Sequence, residues 1–110
     1  MRRVEVLVLE GCHEIEATIE EARRAIGTAK VDADLRVLVV SSDEEAERLR
    51  FLGSPTVRVD GVDVEVSARG RVDYGLQCRL YSVDGRPACI PPPADWITSV
   101  LLGRKDSSAR

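Results

Sequence analysis

Two nearly continuous apolar runs flank a stretch of helical periodicity, and this arrangement narrows the fold more than any other feature of the chain. The first run holds Val4, Val6, Leu7, Val8 and Leu9, and the second extends from Leu35 to Val40. Unbroken runs of branched aliphatic residues are what strands covered on both faces require. Between them, from Glu14 to Ile26, apolar residues fall at Ile15, Ile19, Ala22 and Ile26. Glu14, Glu16, Glu20 and Glu21 come early in this stretch and Arg23 and Arg24 late, as the helix dipole favours. Gly27 is the expected stop. A strand, a helix and a second strand, joined by a connection of this length, predict a right-handed parallel crossover.

The second half reads differently. Ser42 and Glu45 have capping-box spacing, opening a short helix through Ala46 and Leu49 that Gly53 is expected to end. Thr56 to Val59 leads into Asp60-Gly61, a hairpin turn signal, and Val62, Val64 and Val66 alternate beyond it, predicting antiparallel pairing. Ser67 to Gly75 is polar and broken by glycine. Leu76 to Val83 reads as another strand leading to a turn at Asp84-Gly85, so two segments compete for one strand position. Pro91-Pro92-Pro93 blocks extension and sets up a last helix whose Trp96, Ile97, Val100 and Leu101 share a face. The expectation is one domain over residues 1–102 with a flexible polar tail over 103–110.

With 110 residues, 44% of them hydrophobic, the chain can bury one core without needing disulfides or metal. Its 16 basic and 19 acidic residues are interspersed and give a net charge of -3, which argues against nucleic acid or an anionic membrane as partner. Fourteen of the 16 basic residues are arginine. The apolar stretch after Met1-Arg2-Arg3 is short and ends at Glu10, so neither a secretory signal nor a membrane span is expected, and the cytoplasm is the expected location. There Cys12, Cys78 and Cys89 would be reduced, and an odd count argues against a disulfide framework. With His13 the only histidine and no paired cysteine spacing, neither a multi-histidine nor a structural zinc site is expected. Phosphate-loop and dinucleotide motifs are lacking.

The chemistry centres on Cys12, which follows the first apolar run and opens the first helix in this reading. Outward-facing amides and the helix dipole at such a junction favour thiolate over thiol. His13 is either a modulator of that thiol or an exposed first-turn residue, and Glu10 and Glu14 read as solvated charges. Cys78, in an apolar run, reads as a core residue or else as a resolving thiol or soft-metal ligand. Cys89, between Ala88 and Ile90, reads as apolar filler.

Strand, thiol, helix, strand, helix, Gly53-Ser54-Pro55-Thr56, hairpin and final helix: in this order the chain resembles the thioredoxin-like superfamily over roughly Arg3 to Leu102. The resemblance implies an α/β, three-layer fold with a mixed central sheet of about four strands flanked by helices. It also implies a cis Pro55 facing Cys12, with the Ser54 backbone, Thr56 and His13 at the substrate-binding edge, where an extended peptide or glutathione would pair by β-augmentation. Ile15 stands where a dithiol C-x-x-C motif needs its second cysteine. The implied activity is therefore monothiol oxidoreductase or thiol-transfer chemistry at Cys12, with Cys78 or glutathione as resolver and no resident cofactor. Its partner would be a protein thiol or disulfide, or a small thiol. The alternative is a non-catalytic binding module of the same fold. Gly75 to Tyr81, followed by Pro93-Ala94-Asp95-Trp96, also resembles the C-terminal part of organomercurial (alkylmercury) lyases, which would imply soft-metal or organomercurial handling through Cys12 and Cys78.

Overall fold

The computed structural model describes residues 1–83 and 85–103. The first apolar run forms β1 (Arg2–Leu9) and the second forms β2 (Ala33–Val40), paired in parallel with Arg2 opposite Ala33 and Leu9 opposite Val40. The crossover is α1 (Ile15–Ala29). This helix passes through the expected stop at Gly27 and closes at Lys30, where φ is 55° and the backbone N–H donates to the Ile26 carbonyl. A solvent-facing interior glycine costs only about 1 kcal/mol relative to alanine, too little to end a helix whose apolar face is packed.

On its other side β1 pairs antiparallel with β3 (Thr56–Val59), which turns at Asp60-Gly61 into β4 (Val62–Asp63). Both turn residues have positive φ, 50° and 83°, as a tight hairpin of this twist demands. The sheet order is β2-β1-β3-β4, so the Val62 segment takes the fourth position, with only two residues. In the competing Leu76 to Val83 stretch only β5 (Tyr81–Val83) is a strand, and it pairs with β6 (Arg86–Ala88) in a separate ribbon. Asp84, from the expected turn, and residues 104–110, from the expected tail, lie outside the described residues.

Alternation along β1 divides the core. Val4, Val6 and Val8 pack with Ala22 and Ala25 of α1 and with Ile97, Val100 and Leu101 of α3 (Ala94–Leu101). Leu7 points to the opposite face, against Val40, Phe51 and Ala46 of α2 (Asp43–Leu49). The result is an α/β molecule with a mixed four-stranded sheet between helices on both faces. The α2 cap follows its sequence signal with one change. Ser42 accepts from the Glu45 N–H, but the Glu45 carboxylate bonds Ser41, through its backbone N–H at 3.1 Å and its hydroxyl at 2.8 Å. Arg50, with φ 55°, ends α2 ahead of Gly53. Among the described residues no helix is long and apolar enough to cross a membrane.

Candidate thiol site

The turn after β1 carries the half-buried Cys12, whose backbone N–H donates to the Leu9 carbonyl at 3.2 Å. Gly11, with φ 78°, allows this reversal. Contrary to the sequence reading, Cys12 does not open the helix. Glu14 is the N-cap and Ile15 the first helical residue, so the thiol lies outside the first turn, within which the dipole effect is concentrated. What the fold does supply is company. Cys12, His13, Ser54, Cys78 and Cys89 line one cleft of about 490 Å³, whose rim includes Glu10 and Glu14.

Ser54 joins the parts of this cleft. Its hydroxyl accepts the Leu9 N–H at 3.0 Å, tying it to the strand end that leads to Cys12. Its backbone N–H donates to the Gln77 carbonyl and its carbonyl accepts the Arg79 N–H, each at 2.9 Å, forming an isolated parallel bridge with Cys78. The chain's own Gln77 to Arg79 segment thus occupies the backbone edge expected to clamp a peptide. The Ser54–Pro55 bond is cis. Pro55 and Thr56 are both buried. Thr56, expected at the binding edge, turns inward, its hydroxyl donating to the Gly53 carbonyl at 2.6 Å and accepting from Arg79 at 3.0 Å. The Pro55 carbonyl is taken by the Tyr81 hydroxyl at 2.7 Å.

Cys78 and Cys89 depart most from the sequence reading. Neither is core or filler. Both are exposed, and they form a disulfide with Cα atoms 6.5 Å apart, within the usual bridging range. Expecting reduced thiols overlooked how the β5–β6 ribbon returns the chain, bringing Cys89 back beside Cys78. The turn signal at Asp84-Gly85, between two cysteines 11 residues apart, was the available clue.

A buried polar cluster anchors the disulfide segment from below. Arg79 is fully buried and forks onto both Asp63 carboxylate oxygens, at 2.8 and 2.9 Å, and onto Glu65 at 3.0 Å. Its guanidinium carbon lies 4.7 Å from the centroid of the Tyr81 ring. Burial opposes the charge of Arg79, yet its bonds to Asp63 and Glu65 outweigh that and bind its proton more tightly than usual. Burial also pushes the Tyr81 hydroxyl well above its ordinary value. Sequence reading missed Arg79, Asp63 and Glu65, because no local pattern marks a charge as buried. Among the described residues no group of three or more His, Cys, Asp or Glu is placed to hold a metal ion.

The cleft therefore sets a free thiol and an exposed disulfide on one surface, linked through Ser54. A thiol and a disulfide are the two kinds of group that thiol–disulfide exchange requires. Comparison with family models, with curated proteins and with solved structures finds no match for this chain.

Proposed function

We propose that the chain is a thioredoxin-like thiol-transfer protein in which Cys12 exchanges with a small thiol or disulfide such as glutathione. The observation that carries this reading is the shared cleft of Cys12, Ser54 and the Cys78–Cys89 disulfide. The preference for a small substrate over an extended peptide follows from Ser54, whose backbone donor and acceptor are already engaged by Gln77 and Arg79. A peptide would have to displace that segment, whereas a small molecule needs only the open cleft. The resemblance in residue order, from the thiol after β1 to Ser54-Pro55-Thr56 before β3, supports the same class.

A Cys78→Ser/Cys89→Ser double variant leaves Cys12 as the only thiol and isolates its chemistry. Incubated with glutathione disulfide at pH 7, it is expected to form the Cys12–glutathione mixed disulfide at least about tenfold faster than free cysteine does, as positioning in a cleft allows. A rate no faster than free cysteine would leave a non-catalytic module of this fold as the better account.

A further inference from the structure

We propose, resting on the reading of Cys12 as a thiol-exchange residue, that the Cys78–Cys89 disulfide is its internal reaction partner and that Cys89 is the leaving sulfur. A second cleft is lined in part by Arg50, Arg58, Arg69 and Arg71. There Arg58 donates to the Leu49 and Arg50 carbonyls, Arg69 to the Asp63 carbonyl and Arg71 to Asp73, so these three side chains are already held in bonds within the chain. The sulfur cleft carries more.

Cys78 is held from both sides. The carbonyl before it and the N–H after it are bonded to Ser54, and Arg79 is locked into the carboxylate cluster beneath. Ser54 is in turn bonded to Leu9, whose carbonyl holds the Cys12 N–H. Cys12 and Cys78 are thus fixed to one frame through a single serine. Cys89 differs. Exposed like Cys78, it follows β6 of the small ribbon and has no bond to that frame among those tying Cys78 to Ser54. Both sulfurs border the cleft, but only Cys78 shares the Ser54 frame with Cys12, and that shared frame directs attack to Cys78 and departure to Cys89.

The chemistry balances as three exchanges. The Cys12 thiolate attacks Cys78 Sγ, forming a Cys12–Cys78 disulfide and releasing the Cys89 thiolate. A small external thiolate then attacks Cys12 Sγ, freeing Cys78 and leaving a mixed disulfide on Cys12. A second equivalent of the same thiol attacks the external sulfur, giving its disulfide and restoring the Cys12 thiolate. Overall, two external thiols are oxidised by two electrons and the Cys78–Cys89 disulfide is reduced. The missing second cysteine at Ile15 is thereby replaced by Cys78 beside Ser54 and by Cys89, which the ribbon returns to it.

The test is the opening of the disulfide in full-length oxidised protein by reduced glutathione, followed by acid-quenched alkylation and peptide mass mapping. Wild type is expected to open at least about tenfold faster than Cys12→Ser and Cys12→Ala, since an intramolecular thiolate outcompetes millimolar external thiol. Early time points should contain Cys12 joined to Cys78 with Cys89 alkylated. Equal opening rates in wild type and both variants, or early species with glutathione attached only at Cys78 or Cys89, would overturn the relay. Fast exchange of Cys12 in the double variant alongside equal opening rates would remove the relay alone, leaving the broader thiol-transfer reading in place.

Discussion

Several side chains here act by satisfying backbone groups that the fold leaves open, arginines among them. Arg2 reaches the Leu101 carbonyl at 2.7 Å and closes the end of α3, while Arg58 reaches the Leu49 carbonyl at 2.6 Å and closes α2. Arg79 serves two carboxylates and a hydroxyl at once, which a single ammonium cannot do with the same fork geometry. The arginine excess therefore has structural uses at these positions. Tyr81 lies against this cluster and yields a pH prediction. Its hydroxyl is buried and held above its ordinary value, while in the unfolded chain it titrates near the usual value of about 10. Above that pH the unfolded chain releases a proton that the folded chain retains. Stability should then fall as pH rises, with a limiting slope of about 1.4 kcal/mol per pH unit from this group. Urea melts between pH 9 and 11 should show a slope that steepens toward this limit in wild type and a smaller one in Tyr81→Phe. Matching slopes would place the hydroxyl in water.

At the scale of elements, glycine shows how one residue type serves opposite needs. Gly27 lies within α1 with open space where a Cβ would project, so Gly27→Ala should stabilise the chain by about 0.4–1 kcal/mol through the unfolded state. Gly53 has φ 127°, and a Cβ there would lie 3.0 Å from both the Arg79 Cβ and the Gln77 carbonyl oxygen. Gly53→Ala should cost more than about 1 kcal/mol and push the Gln77 to Arg79 segment off Ser54. Paired urea denaturation curves check the two signs, and opposite shifts in midpoint are the expected result. The same contrast explains two sequence expectations. In sequence both glycines read as helix stops, whereas Lys30 and Arg50, in left-handed conformation, end the helices. Gly27 is carried inside a packed helix, and Gly53 is kept for the close approach of Gln77 and Arg79.

At the scale of the molecule, a helix-flanked four-stranded sheet carries a two-stranded ribbon fastened to it through Ser54, Arg79 and Tyr81. No ladder joins the ribbon to the sheet among the described strands, so the two should open separately. Hydrogen exchange on the oxidised protein should protect Val4 to Val8 most strongly. After reduction of Cys78–Cys89, exchange is expected to rise at Tyr81 to Ala88 while β1 stays protected. Equal loosening of both regions would mean that the ribbon and the sheet form one cooperative unit.

The core of the fold was legible without coordinates, because its signals are local. Continuous aliphatic runs, a 3.6-residue stripe and the Asp60-Gly61 turn each specify an element through neighbouring residues alone, and together they define β1, α1, β2 and the β3–β4 hairpin. Of the site, Cys12 stood out by its place beside a strand end, and Ser54 only through the resemblance in residue order. Tertiary packing decided the rest. Whether Cys78 is core or surface depends on Asp63 and Glu65 drawing Arg79 inward, and whether Cys89 matters depends on a ribbon that returns it to Cys78. Residues 12, 54, 78 and 89 meet because hydrogen bonds and buried charge pairs close over long separations, and flanking sequence carries no record of such partners.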